Sequence, residues 1–396
     1  MYPYHLYGGI PRLDIHKKIA VIDTAALEHN YKLLASHVCS SEFICVVKAD
    51  AYSHSAEICV PTLISSGCRF FAVSCIEEAV AVRNICLNNG SNADILILGY
   101  TDPSQVGLLA HNNIIQTAVS LEHAKALSER AEKEKCVLRV HLAIDTGMNR
   151  IGICACDDES CAGAVNEMET ALRLPNLNVE GMFTHFSKSD ENTETAFAEE
   201  SQTHVQGKRF IYIKNALERK GIKLFCHACN SAAAIRFPEY AFDGVRVGIM
   251  LYGIYPSEHF DDIGLLPVMS LSTIISHVHD VAEGGQVSYG GAFTAKRKTK
   301  IATLPIGYAD GYLRKYSGAE VSVKTESGTY QAKIVGRICM DQCMIDISNV
   351  PAKVGDTVVL FGEDPTSLRQ LAELAQTIEY ECICLVSARV PRIIKQ

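Results

Sequence analysis

From residue 43 onward, short apolar runs rich in β-branched residues alternate with segments whose apolar positions recur at helical spacing. The runs read FICVVKA, FFAVS, DILILG, IIQTAVS, VLRVHLAID, VEGMFTHF, KLFCHACN and DGVRVGIMLYG. IEEAVAVRNICL and LEHAKALSERAEKEK are the clearest of the helices between them. About eight βα-like units in ~210 residues predict a parallel sheet closed into a (β/α)8 barrel of the TIM type rather than an open doubly wound sheet. No GxGxxG is present to favour the open form. After YGIYPS at 252–257 the texture changes. Helices nearly vanish, and strands such as MSLSTIISHVHDV and KIATLPIGYADGY follow, separated by Gly and Asp turns. The expected organisation is an amino-terminal segment over 1–23, whose strand KIAVID joins the last domain, a barrel over 24–260, and a mostly β domain over 261–396.

A (β/α)8 barrel carries its chemistry at the carboxyl ends of the strands. That rule collects Lys48 and Tyr52, Asp145 and Arg150, His185, His227 with Asn230 and Ser231, and Arg246 with Gly248 at one mouth. A lysine ending an apolar strand, with cationic neighbours and little water, can act as a nucleophile or base. An amine so placed forms a Schiff base with a carbonyl cofactor, and pyridoxal phosphate is the versatile one. Ser231 and the backbone N–H groups of Gly248 and Ile249 are candidates for its phosphate. Arg246 is the candidate for its ring nitrogen, which an arginine would leave unprotonated.

Composition narrows the alternatives. The 396 residues are 48% hydrophobic and 21% charged, enough for a sizeable core. A net charge of −8 supplies no basic stripe, so nucleic acid is not an expected partner. No apolar run has the roughly 18 residues of a membrane span, and MYPYHLYGGIPRLD lacks the order of a signal peptide. A cytoplasmic protein is expected, with its 16 cysteines reduced.

Taken singly these residues are weak signals. A lysine at a strand end is more often a solvated rim residue, and a lone histidine is more often structural. Asp145-Thr-Gly resembles the aspartic-protease triplet, but such sites pair two triplets on an all-β fold. Cys226-x-x-Cys229 and Cys154, Cys156, Cys161 lack a second spaced pair to close a zinc site, and HExxH is absent, so no metal is expected. Cys382 and Cys384 read as core.

Together, VVKADAY, HLAIDTGMNRIG, GMFTHFSKSDE, HACNSAA, VRVGIMLYGIYPS, VSYGGAF, IGYADGYLR, GRICMDQCMIDI and RVPRI resemble, in this order and over almost the whole chain, the pyridoxal-phosphate alanine racemases. The resemblance implies a barrel followed by a β domain that also takes the first strand. It implies that Lys48 holds the cofactor and is one of two catalytic bases, the other being Tyr289 from a second subunit. His185 and Arg246 would support Tyr289 as phenolate. Tyr52, Ser231, Gly248 and Ile249 would hold the phosphate, and Arg150 would approach the cofactor's phenolic oxygen and the substrate carboxylate. Met340 and Asp341 of the partner would contact the substrate, while Tyr308, Arg314 and Asp190 line the entrance. A homodimer with shared sites follows, making D-alanine.

Four departures stand out against the family pattern. Ser53 and Ser55 replace glycines beside His54, and Asn149 replaces a glycine whose left-handed backbone Asn tolerates. Ala143 stands where many members carry a carbamylated lysine that orients the arginine, so a chloride or another anion is expected to take over beside Arg150. Ala388 stands in place of a tyrosine in SYRVPR, which would widen the substrate pocket and admit serine as a second or even the main substrate. Two other readings compete. A basic amino-acid decarboxylase of the same barrel needs an acidic residue on the ring nitrogen and a cysteine partner, and a non-catalytic pyridoxal-phosphate carrier would stop near residue 260.

Overall fold

The computed structural model describes residues 17–38, 41–363 and 365–395. The amino-terminal stretch quoted above against a signal peptide lies outside them. Two compact units are present, Asp23–Val268 and a second that joins residues up to Ile22 to Met269–Gln396.

In the first unit, parallel strands Glu42–Val46, Phe70–Val73, Asp94–Ile97, Ile115–Ala118, Leu138–Asp145, Leu177–Phe183, Phe225–His227 and Gly244–Val247 pair in a ring. Gly244–Val247 closes it against Glu42–Val46. Most of these strands are almost wholly buried, as a barrel covered by helices requires. The helix Ile76–Asn88 and the helix Leu121–Glu134 coincide with the two segments of clearest helical period. Ser120 caps the second by accepting the His123 N–H at 3.1 Å.

In the second unit a nine-stranded sheet runs from His277–Val281 to Arg392–Ile394. Lys18–Ile22 lies antiparallel to Met269–Ile274 and parallel to Arg392–Ile394. The first strand therefore completes the sheet built by the last third of the chain. A buried charge helps fix it there: Asp310, fully inaccessible, accepts from Lys18 Nζ at 2.7 Å and lies 3.4 Å from Arg389 Nε. Such a group is held only where its partners are present. Helices are more prominent than the sequence texture suggests, with Pro365–Ala375 and Glu379–Cys384 following the last long strands. On the second helix Cys382 is buried but Cys384 is exposed, because residues two apart on a helix face different ways; Cys384 is not core.

Candidate active site

The strand Glu42–Val46 stops two residues before the lysine. Lys48 opens a turn in which Ala49, Asp50 and Ala51 have φ of 53°, 53° and 55°, and Tyr52 and Ser53 continue at 52° and 63°. A run of left-handed residues without glycine costs roughly 1–2 kcal/mol per residue. Such a run persists only where its surroundings over-determine it. The Ala51 N–H donates to Val47 O at 2.9 Å, the Ser53 N–H to Ala49 O at 2.8 Å, and the Ala56 N–H to Asp50 Oδ1 at 2.7 Å. Lys48 is half-buried at the start of this turn, and Tyr52 is buried near its end.

Tyr52 meets the last strand of the ring. A Cβ on Gly248 would fall 2.5 Å from the Tyr52 hydroxyl, so the glycine is required for that approach. The Gly248 N–H donates to Ser231 Oγ at 2.9 Å, and Ile249 follows, fully buried. A phenol, a hydroxyl and backbone amides gather where only glycine leaves room. Asn230, collected at the same mouth, also serves the local fold. Its Oδ1 accepts from the Ala233 N–H at 3.0 Å and from Ser189 Oγ at 2.9 Å, and its amide donates to Phe186 O. It caps the helix Ser231–Arg236 and ties it to the loop after His185.

Arg246 is 3% exposed. Its Nη1 donates to His227 Nδ1 at 2.8 Å and to His227 O at 2.9 Å. Its Nη2 donates to Thr184 O at 2.7 Å and Ala228 O at 2.9 Å, with His185 Nδ1 at 3.3 Å. Among the described residues its Nε–H has no acceptor and no carboxylate pairs with it. Burial brings this guanidinium down to about 10, still cationic at neutral pH. A ring nitrogen with a free lone pair is the group that this remaining donor fits.

Arginine only donates, so both imidazoles accept at Nδ1 and carry their proton on Nε2. His227 passes that proton's hydrogen bond to His141 Nδ1, 2.9 Å away. Burial, then Arg139, brings His141 down to about 3. Burial and Arg246 hold His227 well below the usual imidazole range. Burial, then Arg246, Arg150 and Lys48 do the same to His185, so its Nε2–H is a neutral donor among cations.

Acidification is expected to unfold the barrel sharply. Each histidine is neutral in the fold but takes up a proton in the unfolded chain below about 6.5. Stability is then complete above that value and is lost as pH falls from there toward 3, at up to about 1.4 kcal/mol per pH unit for each. Denaturant unfolding at pH 7 and pH 5 measures the slope, and His141→Gln should remove about one part in three of it.

Asp145 holds the loop beyond its strand, accepting from the N–H groups of Gly147, Asn149 and Arg150 at 3.0, 2.9 and 3.0 Å. Asn149 adopts φ 55°, the left-handed backbone expected of it. By strand alternation Ala143 shares the inward face with His141, and it is buried. Among the described residues no carboxylate pairs with the exposed Arg150 side chain. Gln206, which the sequence reading passed over, anchors the neighbouring loop: it is fully buried, donates to His185 O at 2.9 Å and accepts from the Ser187 N–H at 3.0 Å.

In the second unit Tyr289 is 70% exposed on a short turn. The preceding Ser288 has φ 70° and ψ 177°, a region that is nearly glycine's alone, and its hydroxyl donates to Arg337 O at 2.6 Å. Val287, Ile301 and Val335 form the small core beneath. Tyr308 and Met340 are exposed on two adjoining turns, joined where the Tyr308 N–H donates to Cys339 O at 3.1 Å and the Ala309 N–H to Met340 O at 3.0 Å. Asp341 pairs with Arg389 Nη2 at 2.8 Å, and Arg314 and Ala388 are exposed. Asp190 is half-buried in the first unit, its carbonyl accepting from Ser257. The described residues hold no cluster of three or more His, Cys, Asp or Glu arranged for a metal, and no helix among them is long and apolar enough to cross a membrane.

Residues 22–256 match the family described as alanine racemase, N-terminal domain, and residues 268–394 match alanine racemase, C-terminal domain. The chain is 42% identical over 382 residues to alanine racemase 1 of Clostridium acetobutylicum, covering 94% of each. It is 38% identical over 386 residues to the alanine racemase of Methanococcus maripaludis, covering 96% of this chain and 98% of the other. Among solved structures it resembles the alanine racemase of Clostridium difficile 630 with a TM-score of 0.86 at 35% identity, covering 96% of both chains. That of Bacillus anthracis with bound L-Ala-P gives 0.83 at 31%, covering 96% of this chain and 95% of the other.

Proposed function

The chain belongs to the alanine racemase family, and on that premise we propose that it interconverts L- and D-alanine with pyridoxal phosphate, using Lys48 and Tyr289 of the partner subunit as its two bases. It is an isomerase with an amino-terminal TIM-type barrel and a carboxyl-terminal, mostly β domain. The observation that carries the cofactor assignment is the unspent Nε–H of Arg246, together with the opening that Gly248 leaves beside Tyr52 and Ser231. When bound, the cofactor withdraws electrons from the substrate Cα and so acidifies its proton. Arg246 donates a hydrogen bond without giving up its proton and cannot accept one from a protonated ring nitrogen, so that nitrogen would stay unprotonated, which limits the withdrawal and favours proton exchange over decarboxylation.

Lys48 would hold the cofactor by condensation of Nζ with its carbonyl carbon, losing water, and, once the substrate amine has displaced it, the freed amine would serve as base on one face of Cα. Tyr289 serves on the other face, because a single group can only return the proton where it took it. The neutral Nε2–H of His185 donates to the phenolate oxygen of Tyr289 and stabilises its charge. Tyr52, Ser231, Gly248 and Ile249 bind the phosphate, Asn230 orders the loop behind it, and Arg150 orients the substrate carboxylate, with Met340 and Asp341 of the partner subunit beside it. Tyr308, Arg314 and Asp190 border the entrance. The homodimer is then the working unit. A reducing cytoplasm suits a chain whose described cysteines are all free thiols. Borohydride reduction of the loaded protein followed by peptide mapping tests the core of this reading: the pyridoxyl group should sit on Lys48, and its appearance elsewhere, or nowhere, rejects the assignment.

At the buried Ala143 no side chain reaches toward Arg150, and a small anion such as chloride fills that role. Exchanging chloride for a bulky organic anion should raise KM for alanine several-fold, and Ala143→Lys, carbamylated in bicarbonate, should cancel the dependence; equal kinetics in both salts would refute it. Serine rests on Ala388 alone. An apolar pocket separates such small groups by only ~1–3 kcal/mol, so serine should be turned over measurably beside alanine and Ala388→Tyr should lower the serine-to-alanine ratio of kcat/KM about tenfold. An unchanged ratio removes Ala388 from the pocket and leaves alanine as the substrate.

A further inference from the structure

The left-handed turn that starts at Lys48 is tied to itself by the hydrogen bonds within residues 47–56, but those bonds do not say where the turn stands at the barrel mouth. Strand pairing gives one fixed point, the Val47 N–H to Ala72 O at 2.9 Å, and it lies one residue before the lysine. The next fixed point lies one residue after it. The Ala49 N–H donates to Glu78 Oε1 at 2.7 Å. The other oxygen of the same carboxylate, Oε2, accepts from the Ser74 N–H and from Ser74 Oγ, both at 2.8 Å. Glu78 lies in the first turn of the helix Ile76–Asn88, and Ser74 is the residue at which the strand Phe70–Val73 ends. One half-buried carboxylate thus bridges the carboxyl end of one barrel strand to the turn that follows its neighbour.

We propose that Glu78 is a positioning residue for Lys48, holding the left-handed turn in register so that the amine stands where the cofactor's carbonyl carbon must be met. The proposal rests on the reading of Lys48 as the cofactor-bearing base and adds the device that places it. A plain helix-terminal glutamate would need only the Ser74 contacts, which satisfy one oxygen. The second oxygen spans to Ala49, where the chain has left its strand and has no rung to donate to.

The chemistry asks for a carboxylate here. Three donors converge on two oxygens, and an amide at this position would present one oxygen and one N–H₂, turning a donor against either Ala49 or Ser74. A displacement of a reacting amine by about 1 Å is enough to cost up to about 100-fold in rate. Glu78→Gln is therefore the informative change, with Ser74→Ala as a milder second variant that removes one of the three donors and leaves the fold's backbone contacts in place. Glu77→Gln, one residue earlier and exposed, is the control.

Expected for Glu78→Gln are a fall in kcat of about 10- to 100-fold with KM for alanine within about twofold, and a slower rise of borohydride-trappable label on Lys48 when cofactor is added to the cofactor-free protein. Ser74→Ala should move both quantities the same way by less, and Glu77→Gln should move neither. Wild-type kcat together with a wild-type labelling rate in Glu78→Gln overturns the proposal. So does a variant whose lost activity only tracks a lost folded fraction, with its folded molecules labelling at the normal rate. If Glu78→Gln does not fold, normal labelling in Ser74→Ala overturns it instead. Failure here leaves the role of Lys48 standing, whereas an active Lys48→Ala would remove that role first.

Discussion

Replacing Lys48 by alanine is expected to abolish racemisation, lowering kcat by at least ~10⁴-fold in both directions, because the amine has two duties that no neighbour can assume. It anchors the cofactor, and it exchanges a proton on one face of the substrate carbon. Lys48 is not itself among the residues of left-handed backbone, so alanine brings no conformational penalty and the melting temperature of the cofactor-free protein should change little. Chiral chromatography of product from L- and D-alanine measures the loss. Borohydride treatment of the same variant should label nothing at this site. Undiminished interconversion would show that the barrel mouth is not where the chemistry occurs.

Tyr289→Phe is expected to cost ~10²–10⁴-fold in kcat, the ordinary worth of a positioned acid–base group, with little effect on stability because the phenol is largely exposed in one chain. The more telling result comes from mixing. If Tyr289 acts in the site of the other subunit, equal amounts of Lys48→Ala and Tyr289→Phe, dissociated and reassociated, pair at random. Half the dimers are then mixed, and each has one site with both bases intact and one with neither. Activity should return to about a quarter of the wild-type level from two nearly inactive proteins. No recovery, in a mixture shown to have exchanged subunits, would place both bases in one chain.

Much of this was legible in the sequence for a physical reason. Parallel strands buried on both faces read as continuous apolar runs, and the barrel rule then turns each run's last polar residue into a candidate. Lys48, His185, Arg246 and Gly248 became candidates that way, but the close approach of Tyr52 to Gly248 did not show. What stayed hidden was side-chain work done across elements. Nothing local marks Glu78 as the partner of an amide 29 residues away, or distinguishes Gln206 from any other polar residue inside a helix. The capping role of Asn230 was equally unmarked, although an Asn before a short helix is the signature of a cap. The left-handed turn was invisible because its residues, Ala49, Asp50 and Ala51, have no glycine to announce it. Only the two serines standing where relatives have glycine hinted at a strained backbone. The two late helices were obscured by the strand-rich text around them.

The guanidinium of Arg246 is neutralised by carbonyl dipoles and neutral rings rather than by a carboxylate, so its charge is not cancelled at a distance. A molecule that carries −8 overall therefore keeps a positive well inside its barrel. Anionic ligands approaching from solvent meet repulsion first and attraction only near the mouth, where low-dielectric walls focus the field. Added salt screens the outer repulsion more than the inner attraction, so phosphate-bearing ligands should associate faster, not slower, as ionic strength first rises.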